Sequence, residues 1–213
     1  MLESITTPEE VLSFWFDPPA VDQAGVLQNV RRWFQGGPDM DREVVERFGT
    51  TVEAALGGRL DEWTITSRGR LALVLVLDQL TRNVYRGDPK TYSGDPMAQR
   101  LALEAFDRGL DRELAYVERV FLSMPLLHSE DPSHQARVRE IVDSLAPTAP
   151  AEYRQLAAMN VEQAHKFGQL IERFGRFPHR NEILGRPSTQ AEQAFLVDWA
   201  EKGPPTGAPK PHG

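Results

Sequence analysis

The chain has 213 residues, no cysteine and a formal net charge of −7. That length suits one domain, or two very small ones, and is enough to bury a core without covalent staples. A chain without cysteine has no disulfide, thiolate nucleophile, iron–sulfur cluster or cysteine-ligated zinc, and the acidic balance argues against a nucleic-acid coat or a binder of anionic membranes.

The 24 cations are 20 Arg and only 4 Lys (Lys90, Lys166, Lys202 and Lys210). The question is therefore where the arginines fall. The N-terminus has no basic region ahead of its first apolar cluster, so a secretory signal is not expected. The longest apolar run, Leu71 to Leu77, covers seven residues, too few for a spanning helix. A cytoplasmic protein with no membrane partner is the expectation.

Thr7-Pro8-Glu9-Glu10 sets a cap, a proline at the first helical position and a capping-box glutamate in order. The helix it opens carries Val11, Leu12, Phe14, Trp15 and Phe16. A second helix is expected from about Gln23 to Phe34, stopped by Gly36-Gly37-Pro38. A third runs from about Met40 to Leu56, with Val44, Phe48, Val52 and Leu56 near helical spacing.

Next comes the most apolar segment, Leu71 to Leu77, which continues without a turn residue into Asp78-Gln79-Leu80-Thr81-Arg82-Asn83-Val84-Tyr85-Arg86-Gly87. A buried strand is conceivable for seven residues. The length of the whole run, with Thr66/Ser67 as a cap, predicts instead a central helix of 18 or so residues. Asp95-Pro96 opens a helix that ends at Gly109. Another is expected over Glu113 to Ser123, stopped before Pro125, and Asp131-Pro132 caps one that reaches about Leu145. Pro147 and Pro150 break the chain; a long helix follows over 151 to about 174, then a loop from Gly175 to Pro187. Thr189-Gln-Ala-Glu192 is a second capping box, opening a last helix to about Ala200. The fold class is all-α: eight to ten helices and no sheet. Residues 1–202 read as a single domain and 203–213 as a flexible Pro/Gly-rich tail, where His212 is no ligand candidate.

Three stretches are too polar for plain bundle surface. In the first, Asp78 and Arg82 are four apart and share a helix face, and Arg86 extends that face by a turn. These groups either form local pairs and cap helix carbonyls, or deliver Arg82, Asn83 and Arg86 to a polar pocket. The arginine fork suits carboxylate or phosphate. The second is His128-Ser129-Glu130. Neighbours diverge, so a Ser129–His128 nucleophile pair is not expected, whereas His128 as acid/base remains open beside a plain capping role.

The third stretch is the densest. Residues 171–186 hold four Arg against two Glu, a basic patch in an acidic chain, and His165, seven residues before Glu172, shares its helix face. Gly175 and Pro178 break the helix, Phe174 and Phe177 can anchor the loop, and Arg173, Arg176, His179, Arg180 and Asn181 are left for an anion. A solvated basic loop is the plainer alternative. No His-Glu-x-x-His, Walker A or Gly-x-Gly-x-x-Gly pattern occurs, and neither metal nor cofactor is expected.

Together these pieces resemble the bacterial family named domain of unknown function 924. The matching residues are Phe14-Trp15-Phe16, Arg32-Trp33-Phe34, Leu77 to Gly87, Pro125 to Glu130, and Arg173 to Asn181 with Leu184-Gly185-Arg186. Thr81 stands where the family form has proline. The resemblance implies a tetratricopeptide-like antiparallel helical array and no established activity.

Two functions follow as expectations. One is a polar pocket between helices that binds a small anionic ligand, carboxylate or phosphate. Asp78, Arg82, Asn83, Arg86, Ser129, His165, Arg173, Arg176, Arg180 and Asn181 would bind, and His128, Glu130 or His179 would move a proton. The other is a helical scaffold whose arginines clamp the carboxylate of a peptide or partner protein, which calls for an open groove and no buried His–carboxylate pair. A third, plainer possibility is a buried ion network that fixes helix packing.

Overall fold

The computed structural model describes residues 4–202. The expected tail and His212 lie outside the described residues. Regular structure among the described residues is helical throughout, with no strand. Helix α1 (Pro8–Phe16) begins with the capping box read from the sequence, and its Val11, Leu12, Phe14 and Trp15 are buried. α2 (Gln23–Gln35) and α3 (Gly37–Leu56) follow, the latter burying Val44, Phe48 and Val52. Trp33 donates its indole N–H to the Trp15 carbonyl at 2.8 Å and so ties α2 to the end of α1.

The apolar run is helical and central. α4 (Ser67–Leu75) starts at Thr66, whose side chain accepts from the Gly69 N–H. It passes through a π-helical turn, Val76–Leu80, into α5 (Thr81–Val84). The three form one rod over 67–84, so the described residues hold nine helical rods. Leu71 through Leu77 are at most 1% exposed, because α1, α3, α6 (Asp95–Asp107) and α7 (Tyr116–Leu127) pack around the rod. Burying each such side chain contributes roughly 1.5–3 kcal/mol, which outweighs the modest helix propensity of the valines.

α7 corrects one expectation. It begins at Tyr116 rather than Glu113 and runs through Pro125 to Leu127. Residues Leu110–Glu113 form a separate 3-10 turn. The sheltered apolar surroundings of Val120, Phe121, Leu122, Met124 and Leu126 repay the hydrogen bond that Pro125 removes.

α8 (Pro132–Leu145), capped by Asp131, packs along α7 and along α9 (Arg154–Phe174). α9 ends at Gly175, whose φ of +67° is the left-handed conformation that a side chain would strain. After the 175–187 loop, α10 (Gln190–Lys202) closes on it, with Phe195 against Phe174 and Trp199 stacked on His179. One apolar cluster extends from Val11 to Trp199. No helix among the described residues is long and apolar enough to cross a membrane.

Candidate functional site

Asp78 sits inside the π-turn of the central rod and is fully buried. A π-turn holds one more residue than an α-turn and so re-aims the side chains it carries. Thr81 stabilises it: its N–H and its hydroxyl (2.8 Å) both donate to the Val76 carbonyl. Asp78 meets His128, the C-cap of α7, with Nδ1 at 2.8 and 3.1 Å from its two carboxylate oxygens. When neutral, an imidazole whose Nδ1–H is given to a carboxylate carries a lone pair on Nε2. That nitrogen has no protein partner among the described residues, and the His128 side chain is 14% exposed. Gln79 also donates to Asp78.

The rest of the cluster comes from Arg82 on the same rod and from three other segments. Arg82 lies 3.0 Å from Asp78 and 2.9 Å from Asp95, so one guanidinium bridges two carboxylates. Arg180, 8% exposed, donates to the His128 carbonyl at 2.8 Å and stands 3.8 Å from Asp95. Both guanidiniums face the Tyr92 ring, at 5.8 Å for Arg82 and 4.6 Å for Arg180. Asp95 reaches this centre because α6 starts against the backbone of the π-turn. A Cβ on Gly94 would stand 2.2 Å from the Leu77 carbonyl oxygen, so only glycine permits that approach. One buried donor keeps unused capacity: Arg180 Nε has no hydrogen-bond partner.

Electrostatics separate the two aspartates. Burial opposes charge on Asp78, but Arg82, His128 and the hydrogen bonds from His128 and Gln79 outweigh it and hold the carboxyl well below its usual range. For Asp95 burial prevails over Arg82 and Arg180, with Asp78 adding repulsion, and its carboxyl is raised. Burial lowers Arg180, as does repulsion from Arg82. The centre thus combines a firmly ionised aspartate behind His128 with a second aspartate that is easier to protonate.

The 175–187 loop is held by its own polar groups. Glu130 accepts from Arg186 at 2.7 and 3.0 Å and from the Phe177 N–H at 2.8 Å. Burial raises its carboxyl, yet those bonds and Arg180 bring it below the ordinary value. Asn181, 1% exposed, donates to Ser188 and accepts from Arg186. Arg176 pairs with Glu192 at 2.6 and 2.9 Å, fastening the loop to α10. His179 packs on Phe177 and Trp199, its Nδ1 buried without a partner. Burial, with Arg180 next to it, pushes its imidazole down to about 3. A neutral ring wedged between aromatics fills space and is a poor proton carrier at pH 7.

The three polar stretches therefore meet, but only in part. Asp78, Arg82, His128 and Arg180 come together, with Glu130 and Asn181 bracing the loop beside them. Arg86 does not extend the Asp78–Arg82 face, since the helix ends at Val84. Arg86 pairs with Asp41 of α3 at 2.5 and 2.8 Å, and Asn83 donates to the same carboxylate. These two line a surface hollow of about 540 Å³ apart from Asp78. Ser129 turns away to His134 at 2.9 Å, as expected of neighbours that diverge. His165 is exposed near Asp143 at 3.6 Å, and Arg173 is exposed over the Phe174 ring. The buried His128–Asp78 pair runs against a peptide clamp at these arginines.

Asp95 and Tyr92 were missed by sequence reasoning. Asp95 reads as a helix opener, yet it is the first helical residue and Gly94 is the cap, so its carboxylate is free for Arg82. An aspartate that opens a helix without capping it, directly after glycine, is the signal that could have found it. Among the described residues no group of three or more His, Cys, Asp or Glu could hold a metal ion.

An all-α protein built round a buried Asp–His–Arg centre is the class that fold and geometry define. The family model for a bacterial protein of unknown function, DUF924, matches residues 11–199. The chain belongs to this family. It is also similar to a solved structure, that of the protein of unknown function ATU0120 from Agrobacterium tumefaciens. The two are 31% identical with a TM-score of 0.75, over 90% of this chain and 97% of that one. No curated protein matches.

Proposed function

We propose that the Asp78–His128 centre binds a small anionic molecule and exchanges a proton with it at His128 Nε2. One observation carries this reading: Nδ1 is fixed by a buried, firmly ionised carboxylate, while Nε2 has no partner and the ring keeps some exposure. A ring held this way has its tautomer and orientation set in advance, which is what acid/base work requires. Arg180 Nε is a buried donor awaiting an acceptor, and a guanidinium suits a carboxylate or phosphate. Consecutive packing of α6 to α9 fits the tetratricopeptide-like array, and a cytoplasmic location belongs to the same reading.

Thermal-shift screening against carboxylate and phosphate metabolites tests it. A ligand should raise the wild-type midpoint and leave that of His128→Gln unmoved. If no ligand in a broad library acts, or every active one shifts both proteins equally, the site is not there.

A second reading has its own support. Arg82 already spans both aspartates, and surface hollows of about 410 and 540 Å³ lie elsewhere. On that reading the ions serve to lock the central rod, α6, α7 and the loop together. His128→Gln would then lower the midpoint sharply while no anion moved the wild type.

A further inference from the structure

The Asp78–His128 centre holds two aspartates and two arginines, and their charges cancel. Asp78 is 0%, Asp95 6% and Arg180 8% exposed, and Arg82 lies between the aspartates at 3.0 and 2.9 Å. Beside them Glu130 and Arg186 cancel as a pair at 2.7 Å. One added anion therefore leaves this interior with a negative charge that nothing offsets, and an uncompensated buried charge is costly.

The two arginines are not equally committed. Arg82 is taken up by both carboxylates. Arg180 is fixed by other means: its guanidinium lies over the rings of Tyr92 at 4.6 Å and Phe177 at 4.7 Å, and it donates to the His128 carbonyl at 2.8 Å. Its contact with Asp95 is a loose 3.8 Å, and its Nε–H has no acceptor. An incoming anion that takes this donor draws Arg180 from Asp95 and repels the Asp95 carboxylate.

Asp95 is faced by Asp78 and Arg82 from the rod, by His128 from the end of α7, by Tyr92 from the turn Pro89–Tyr92 and by Arg180 from the loop. Arg82 and His128 keep Asp78 ionised against its burial, whereas burial already favours the neutral acid at Asp95. His128 Nε2, on the reading above, keeps its lone pair for the ligand's own proton. We propose that the ligand of this centre is a singly charged oxyanion, such as a monocarboxylate, and that Asp95 takes up one proton from solvent as it binds. The sum of charges then returns to zero. A dianion needs a second proton, and Asp78 is held ionised. The inference rests on the Asp78–His128 reading and narrows its ligand class.

NMR titration of the full chain with acetate tests it over about pH 6 to 8, where acetate itself stays ionised. The Kd should rise with pH, approaching about tenfold per pH unit, as uptake of one proton requires. In Asp95→Asn, which carries the neutral form permanently, the Kd should not change with pH. Sulfate, doubly charged throughout, should bind at least tenfold more weakly than acetate. Infrared difference spectra should gain a protonated-carboxyl band on acetate binding, and the band should move when the aspartates are labelled with carbon-13. That measurement on the wild type decides alone if Asp95→Asn does not fold. A Kd independent of pH, a pH slope that survives in Asp95→Asn, a carboxyl band that ignores the label, or sulfate binding as tight as acetate overturns this inference and leaves the Asp78–His128 reading standing. Acetate that does not bind at any pH overturns both.

Discussion

Arg82 and Arg86 stand one helical turn apart in the same motif, and the fold puts them to different use. Arg82 is still on the rod, 17% exposed, and bridges Asp78 and Asp95. Arg86 is past the end of the helix, 39% exposed, and holds Asp41 alone. The residue types are the same, and so is the bidentate chemistry. Burial makes the difference: a pair in water gains little, whereas breaking a buried pair leaves an uncompensated charge.

Asp78→Ala should break that comparison most severely. It strands His128 and half of Arg82 in the interior, and a loss of about 3–5 kcal/mol is expected in urea unfolding at neutral pH. The sign of its pH dependence follows from a carboxyl lowered on folding. Its contribution is full above the unfolded value, near 4, and is lost as pH falls towards the folded one.

His179 sharpens the role of burial without an ion pair. Its folded value, about 3, lies below the unfolded imidazole value of about 6.5, because burial and Arg180 disfavour the cation. Its neutral form is therefore favoured by the fold. Stability from this source is complete above about 6.5 and declines as pH falls towards 3. Replacing His179 by Phe keeps a ring against Trp199 and removes the titration. Between pH 7 and pH 5 the wild type should lose about 2 kcal/mol more than His179→Phe, read from unfolding curves at each pH.

Thr81→Val tests the π-turn itself. The hydroxyl bond to Val76 is lost while the shape is kept, so about 1 kcal/mol is expected. Arg86→Ala should do least, below about 1 kcal/mol and less still at high salt. An Arg86→Ala effect as large as that of Asp78→Ala would end the distinction between the two arginines.

Helix caps were legible because each is written in a few adjacent residues: Thr7 with Glu10, Thr66 before the apolar run, Asp131 before Pro132, Thr189 with Glu192. The central rod was legible from its length. Pro125 misled because the sequence shows the lost N–H bond and not the packing that offsets it. The site was half legible. Asp78 and Arg82 announce themselves at i,i+4, and His128 stands out with Ser129 and Glu130 as a polar stretch that local structure does not explain. Asp95 joins them only through the close approach of Gly94 to Leu77, a contact between segments that no local pattern encodes. Arg86 was misplaced for the complementary reason, since the helix end after Val84 carries no proline and no cap that marks it.

The central claim is that Asp78 holds His128 by Nδ1 and leaves Nε2 for a ligand. Long-range proton–nitrogen NMR of the His128 ring reads it most directly, during titration with phosphate and then acetate. The account predicts hydrogen on Nδ1 in the free protein, and an Nε2 resonance that shifts and saturates as one of these anions binds. A ring with hydrogen on Nε2 and none on Nδ1, or an Nε2 signal that neither anion moves, would contradict it.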